Sequence, residues 1–238
     1  MSARNLDKLF NPGSVALIGA SPRPGSVGAV IARNLSRAEF VGNVMFVNPN
    51  HPQIDGHIVH PNITSLPSAP DLAVIATPAE TVPSLIGELA ERGTRAAVII
   101  TAGFAELGER GHSLQQAILD AAKPYLMRII GPNCVGIMVP RVGLDATFSH
   151  LAGPAGDIAF ISQSGAMVTA MLDWAVSRRI GFSHVVSLGD MADVDLATCS
   201  TISPPIPTRG LSCCMSRVSH TAANSCPRPE QLRASSPC

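Results

Sequence analysis

The residues with the clearest chemical potential form a glycine-rich loop near the start of the chain. A short apolar run, Val15–Ile18, ends in Gly19, small residues follow, and a helical pattern begins near Ser26. Glycines let a backbone approach an anion closely, and the free N–H groups at a helix start point toward it. Parallel α/β folds build phosphate sites from this order of strand, glycine-rich turn and helix. The loop therefore predicts binding of a nucleotide-like molecule.

The glycine spacing does not match two common phosphate loops. Gly19, Gly25 and Gly28 do not fit G-x-G-x-x-G, and no G-x-x-x-x-G-K-[ST] loop is present. An NAD-type oxidoreductase would also need an acidic residue at the end of its second strand for the ribose hydroxyl. The chain has Val47–Asn50 there, without an acid, which argues against that class. An ordinary strand–helix turn that binds nothing is the simpler alternative.

Composition argues against several classes of partner. The 238 residues carry a formal net charge of zero, so no nucleic acid or acidic membrane surface is predicted. We find neither an apolar stretch of about 18 residues nor the apolar core of a signal peptide. Of the six cysteines only Cys134 precedes Leu196, and no C-x-x-C pair predicts zinc. We expect a cytoplasmic protein without a metal site.

Alternating strand and helix signals predict the elements that position the loop. Short apolar runs typical of a parallel sheet covered on both faces lie at Val15–Ile18, Val44–Val47, Leu72–Ile75, Ala97–Ile100 and Met127–Ile130. Helical patterns lie between them at Ser26–Leu35, Thr81–Arg92 and Ser113–Ala122. This alternation predicts an α/β fold, with a Rossmann-like doubly wound parallel sheet over residues 1–130.

An incomplete second α/β unit, flavodoxin-like in type, is predicted over residues 131–196. After a loop to about Gly156, the strand Ile158–Ile161 leads into an amphipathic helix, Ala166–Arg178, and Val185–Leu188 is predicted as the next strand. Residues 197–238 show no period of a strand or helix and are rich in Ser, Pro and Cys. We expect that segment to be a disordered tail.

Several segments together resemble the nucleoside-diphosphate-forming acyl-CoA synthetases, relatives of the succinyl-CoA synthetase alpha chain. The matching motifs, in order, are LFNPGSVALIGAS, VNPN, IIGPNCVGI, ISQSGAM and VSLGDMADVD. GLDATFSH followed by GDIAFISQSGA is most similar to the long bacterial forms, some of which carry an acetyltransferase domain and acetylate protein lysines. Within the 238 residues, the resemblance extends to neither an ATP-grasp domain nor an acetyltransferase domain.

The resemblance implies that the first unit binds coenzyme A. The residues that would hold its phosphates are Gly19, Ser21, Arg23, Gly25, Ser26 and Gly28. Asn48 and Pro49 would border the ribose phosphate, although relatives often carry a lysine after this proline, where Asn50 stands here. The remaining implied contacts are Thr77 and Pro78 near the adenine, and Asn133 and Cys134 near the thiol end.

The family reaction moves a phosphoryl group between a nucleotide, a histidine and an acyl group. Ser162, Ser164 and Gly165 match a helix start that contacts the phosphohistidine loop, and the alternative is an ordinary serine N-cap of a core helix. His220 lies too early and lacks the glycines that follow the family's histidine, so we assign no catalytic residue.

The resemblance implies that this chain binds CoA or acyl-CoA and is catalytically incomplete by itself. It would be the CoA-binding portion of an ADP-forming acyl-CoA synthetase. The alternative is a regulatory or partner module, either of a protein lysine acetyltransferase or of a separate ATP-grasp subunit.

The segment after Leu196 departs from the family, which continues there with a helix and a strand. A shifted reading frame can turn Ser212–Cys214 into Ile-Leu-Leu and restore an apolar strand. We therefore hypothesise a single-base frame change near Ala197, in the gene or its record. DNA sequencing across this point tests the hypothesis, and an intact frame would refute it.

Overall fold

The first unit is a seven-stranded sheet within the described part of the chain. A computed structural model describes residues 4–200 and the backbone of residues 212–215. The strands of this sheet are β1 (Ser14–Ile18), β2 (Asn43–Val47), β3 (Gln53–Ile54), β4 (His57–His60), β5 (Leu72–Ile75), β6 (Ala96–Ile99) and β7 (Arg128–Ile130). They lie in the order β3-β4-β2-β1-β5-β6-β7, and all pairs are parallel except β3 with β4. The doubly wound parallel sheet is confirmed.

Side chains of the central strands alternate between two apolar cores. The helices of this unit are α1 (Asp7–Phe10), α2 (Val27–Arg37), α3 (Val82–Arg92) and α4 (Glu109–Ala122). Val15 and Leu17 of β1 belong to the core that includes α1 and α2, whereas Ala16 and Ile18 belong to the core of α3 and α4. Because successive residues of a strand face opposite sides, burial of both faces requires the uninterrupted apolar runs seen in the sequence.

The second unit is a mixed sheet that shares a core with the first. Its strands are β8 (Gly136–Val139), β9 (Leu144–Thr147), β10 (Ala155–Ser162), β11 (Phe182–Ser187) and β12 (Ser212–Met215), in the order β12-β10-β11-β8-β9. Its helices are α5 (Gly165–Val176) and α6 (Leu196–Ser200). Phe160 and Phe182 pack under α5 on one face, while Ile137 and Ile161 join the core of α1 and α2 on the other. The two units are therefore packed as one body along this face.

The predicted loop between residue 131 and Gly156 was wrong, because β8 and β9 form an antiparallel hairpin there. Gly136 has φ +116°, and a β-carbon at this residue would collide with the carbonyl of Ala146 on β9. The hairpin thus uses a glycine for a close strand approach. A glycine inside so short an apolar run conceals the strand from a period-2 pattern.

Elsewhere the predicted elements agree with the structure to within a few residues at each end. The largest difference is α4, which begins at Glu109 rather than Ser113. The short elements α1, β3 and β4 were not predicted. Of residues 197–238, expected to be disordered, the described part is helical to residue 200 and a strand at 212–215, parallel to β10. The other residues of this segment, His220 included, lie outside the described residues.

Membrane spanning was also tested on the described residues. None of their helices combines the length and the apolar character that crossing a bilayer requires.

Candidate functional site

The predicted site residues lie on loops that follow parallel strands. Because the carboxyl ends of parallel strands meet at one edge of a sheet, the loops after β1, β2, β5, β6 and β7 are neighbours. Two cavities lie along this edge. One, the outer cavity, has a volume of about 470 Å³ and lies between the ends of β2 and β5. The other, the junction cavity, has a volume of about 580 Å³ and lies between the first sheet and the start of α5.

The two cavities are neighbours along this edge. Ala76 and Thr77, which follow β5, line both of them. The Thr77 hydroxyl accepts a hydrogen bond from the Thr81 hydroxyl at 2.9 Å, and its carbonyl accepts one from the Thr101 hydroxyl at 2.6 Å. The residue between the cavities is thus held from both sides. We call the combined space the edge groove.

The outer cavity brings together the residues expected near the adenosine. It is lined by Gly19, Asn48, Pro49, Thr77 and Pro78, among others. The Asn48 side chain donates to the carbonyl of Ala20 at 2.6 Å and accepts from the N–H of Asn50 at 2.8 Å. The first bond ties the end of β2 to the glycine loop and the second fixes the Asn48 side chain, so Asn48 shapes the cavity as well as lining it.

The glycine loop ends in a capped helix with open backbone donors. The Ser26 hydroxyl accepts from the N–H of Ala29 at 3.3 Å, which makes Ser26 the N-cap of α2. Among the described residues, the N–H groups of Val27 and Gly28 in the first turn have no hydrogen-bond acceptor. Unpaired donors at the positive end of a helix suit an anion.

Two positions of the loop are occupied by glycine for different structural reasons. A β-carbon at Gly28 would collide with the carbonyl of Gly19, so Gly28 permits close packing of α2 on the end of β1. Gly25 has φ +75°, and a β-carbon there would meet no atom within 4 Å. The space beside Gly25 is therefore open to a ligand, and the exposed side chain of Arg23 lies two residues away in the chain.

The junction cavity is built by both units. Asn133 and Cys134 come from the loop after β7, and Gly165 is the first residue of α5. Val27, the first residue of α2, lines the same cavity. Two helix N-termini, one from each unit, therefore border one space, and both favour negative charge in it.

The predicted serines at α5 do not cap the helix with their side chains. Ser164 is the N-cap residue, but its hydroxyl makes no capping hydrogen bond. The buried Ser162 hydroxyl accepts from the N–H of Ser164 at 3.1 Å, outside the helix. The ordinary serine cap considered as an alternative is therefore not the observed arrangement, and the first-turn donors of α5 are left to other partners.

Cys134 is a packed thiol rather than a nucleophile. Its Sγ donates to the carbonyl of Ile99 at 3.3 Å. Burial, with a smaller contribution from the charge of Asp190, raises the pKa of the Cys134 thiol to about 12. A thiol with this pKa stays protonated at neutral pH, and the thiolate is the reactive form.

Not every predicted residue lines the groove. Seven predicted residues line neither cavity. Five of them lie in the loops beside the cavities, whereas Gly28 is in the first turn of α2 and Ser162 ends β10. The five are Ser21, Arg23, Gly25, Ser26 and Ser164. The sequence analysis missed Thr101 and Phe148, which line the junction cavity. Thr101 had a usable signal, because it is the first polar residue after an apolar strand. Phe148 had none, since the hairpin before it was interpreted as a loop.

Comparisons with known proteins show which families the two parts of the chain resemble. Residues 13–140 match the family described as CoA binding domain. Residues 155–202 match the family described as succinyl-CoA ligase like flavodoxin domain. The first range contains the whole first sheet and also β8 of the second sheet, and the second range begins with β10.

Among the similar proteins are two archaeal ligases and one solved structure. The chain is 42% identical over 190 residues to acetate–CoA ligase (ADP-forming) I of Archaeoglobus fulgidus, covering 80% of this chain and 27% of that protein. It is 40% identical over 195 residues to the alpha subunit of acetate–CoA ligase (ADP-forming) I of Pyrococcus furiosus, covering 80% of this chain and 42% of that subunit. The apo structure of dinucleotide-forming acetyl-coenzyme A synthetase 1 from Ca. Korarchaeum cryptofilum matches with a TM-score of 0.84 and 34% identity, over 91% of this chain and 47% of that one.

The chain thus spans less than half the length of these relatives. The acetyltransferase-fused branch, which the resemblance also allowed, receives no support from these matches. The family match over more than half of the residues, together with the shared fold, identifies the chain as a member of the CoA-binding domain family, with a succinyl-CoA ligase-like segment behind that domain.

Proposed function

We propose that the edge groove binds coenzyme A and that the chain is the CoA-binding portion of an ADP-forming acyl-CoA synthetase. The observation that carries the proposal is that the outer and junction cavities lie side by side and share Ala76 and Thr77 in their lining. CoA is an elongated ligand with an adenosine 3′-phosphate at one end, a diphosphate in the middle and a thiol at the other. A single pocket would not match that shape, whereas a groove with two chambers does.

Each part of the ligand has chemically suitable residues. The outer cavity, with Pro49, Pro78 and Leu85 beside Asn48, offers an apolar wall and a polar edge for adenosine. The open donors at the start of α2, with Arg23 on the same loop, suit the diphosphate. The thiol end would then reach the junction cavity.

The succinyl-CoA ligase-like segment supports the second half of the proposal. The first turn of α5 lines the junction cavity without a side-chain cap. In the proposed complete enzyme, Ser162, Ser164 and Gly165 contact the phosphohistidine loop, and the positive end of α5 stabilises the phosphoryl group. The proposal places the chain in the cytoplasm, where CoA and nucleotides are available.

Calorimetric titration of the 238-residue protein with CoA, NAD and ATP tests the proposal. We expect one CoA per chain and no binding of NAD. The fragments 3′,5′-ADP and pantetheine should each bind more weakly than CoA and should not compete, because they would occupy different cavities. Binding of NAD without CoA, or mutual competition of the two fragments, would contradict the assignment.

A second candidate is a CoA-binding subunit that works with a separate ATP-grasp chain. The observation that favours it is the match to a protein named as an alpha subunit. Co-purification with an ATP-grasp chain, and acyl-CoA formation only by the mixture, would distinguish a subunit from a part of one longer enzyme.

A further inference from the structure

The loop after β11 is fixed against the loop after β7. The N–H groups of Asp190 and Ala192 donate to the carbonyls of Pro132 and Gly131 at 2.9 and 3.0 Å. A β-carbon at Gly189 would collide with the Pro132 carbonyl, so this approach requires a glycine. The backbone of Asp190 therefore has a defined position relative to residue 133, although the two residues are 57 positions apart in the chain.

Asn133 is the residue that this loop reaches. Its φ is +56°, and its N–H donates to the carbonyl of Thr101 at 2.9 Å, so its backbone is also held. Its side-chain Nδ2 faces Oδ1 of Asp190 at 3.5 Å, at the long end of hydrogen bonding. An ionised carboxylate only accepts hydrogen bonds, so it selects the amide orientation with NH2 toward itself. The carbonyl oxygen of Asn133, a residue lining the junction cavity, is left for a ligand.

The side chain of Asp190 lowers the stability of the fold, which argues against a purely structural role. Its Oδ2 is buried and makes no well-aligned hydrogen bond among residues 4–200, although the N–H of Ala105 lies close enough to the carboxyl to lower its pKa. Burial and the nearby charge of Glu106 raise the pKa of the Asp190 carboxyl. A buried carboxylate oxygen without a donor costs stability. Such a violation of local rules is typical of a functional position.

Because the Cys134 thiol is not available as an acceptor, the Asn133 carbonyl is the more important group for binding a ligand thiol. The Cys134 Sγ is buried and donates to the Ile99 carbonyl, so it is not an acceptor aimed at the cavity. A ligand thiol that enters the junction cavity needs an acceptor for its S–H if the sulfur is to be oriented. The Asn133 carbonyl oxygen can serve, because a thiol is a weak donor and an amide carbonyl is a good acceptor.

We propose that Asp190 is a positioning residue that orients the Asn133 amide, so that the site recognises the thiol of its ligand through the Asn133 carbonyl oxygen. The inference rests on the proposed function and adds a determinant of specificity for the free thiol. It predicts that the wild-type chain binds CoA about three- to tenfold more tightly than desulfo-CoA, which lacks the sulfur, because one neutral hydrogen bond is at stake.

The test is calorimetric titration of three variants with CoA and desulfo-CoA. Asp190→Asn should lose the preference for CoA, because an amide at 190 can accept or donate and no longer selects one orientation of Asn133. Asn133→Gly, which tolerates positive φ, should lose the same preference. The matched control is Asp193→Asn, in the same loop as Asp190. It breaks the ion pair between Asp193 and Arg128 of β7 (2.8 Å) without touching Asn133, and should keep the preference for CoA.

The outcomes separate the two levels of the argument. Absence of CoA binding by the wild-type chain would overturn the proposed function and this inference with it. Equal wild-type binding of CoA and desulfo-CoA would overturn the inference alone. An Asp190→Asn variant that weakens both ligands by the same factor would show a structural role and refute positioning. If that variant does not fold, an Asn133→Gly variant that keeps the preference for CoA would still refute recognition through the Asn133 carbonyl, and with it the role of Asp190.

Discussion

Replacing Gly25 with alanine adds one methyl group to the open side of the glycine loop. In the free protein a β-carbon at Gly25 meets no atom within 4 Å, so no collision is expected. Its φ of +75° still costs about 1 kcal/mol of folding free energy for a residue with a side chain. If the diphosphate of CoA occupies that space, the methyl group displaces it from the backbone donors of α2. Loss of one hydrogen bond to a charged group costs about 1.5–3 kcal/mol, so CoA should bind roughly ten- to a hundredfold more weakly.

Gly56 provides a matched control for the backbone cost. It lies in the turn between β3 and β4, has φ +83°, meets no atom within 4 Å of a β-carbon, and does not line the edge groove. Gly56→Ala should lower the free energy of unfolding as much as Gly25→Ala while leaving CoA affinity unchanged. Denaturant unfolding and calorimetry of both variants separate the two effects. Equal CoA affinities of the two variants would remove the glycine loop from the site and refute the reasoning.

Two further predictions concern single side chains. Burial raises the pKa of the Asp145 carboxyl to about 6, compared with about 3.9 in an unfolded chain. The stabilising contribution of the protonated Asp145 side chain is therefore fully present below about pH 4 and is lost as the pH rises through 6. Asp145→Asn should therefore raise the free energy of unfolding by about 1–3 kcal/mol at pH 8 and hardly change it at pH 3.5; equal effects at both pH values in urea unfolding would refute this. Asn48→Ala removes the bonds to Ala20 and Asn50, and calorimetry should show CoA affinity reduced about threefold to tenfold, whereas unchanged affinity would exclude Asn48 as a support of the outer cavity.

The strands that could be predicted are those whose residues must all be apolar because both faces of the sheet are buried. Strands such as Leu72–Ile75 are buried on both faces, so each is an unbroken apolar run. The hairpin of β8 and β9 was missed because a glycine needed for close strand approach interrupts its pattern. The short strands β3 and β4 carry exposed residues such as Ile58, at 77% exposure, and offer no apolar run.

The candidate site likewise has a part that could be predicted from the sequence and a part that could not. The glycine loop is local, since strand, turn and helix are consecutive in the chain, so the sequence predicts the loop itself, and its role in phosphate binding stays a prediction. The pairing of Asn133 with Asp190 joins residues 57 positions apart. No local pattern contains that distance, because it depends on how the two units pack. The contact between Asn133 and Asp190 therefore needed the structure, although the resemblance already implied Asn133 near the thiol end.

The two halves of the groove differ in what they require of the chain. The outer cavity is lined by residues of the first unit alone, from Ile18 to Glu88. The junction cavity needs Gly165 and the hairpin before Phe148, whose sheet shares a core with α2. The far edge of this second sheet is β12, a strand of Ser, Cys and Met that runs parallel to β10.

The frame-change hypothesis bears on this second half. Under it, the unshifted reading frame encodes Ile-Leu-Leu where the backbone of β12 pairs with β10, and apolar side chains favour burial against a sheet. The junction cavity would then be held more firmly than in the present sequence, while the outer cavity would be unchanged. Binding of the adenosine end should accordingly tolerate changes after Leu196 that recognition of the thiol does not, since only the latter depends on the second sheet.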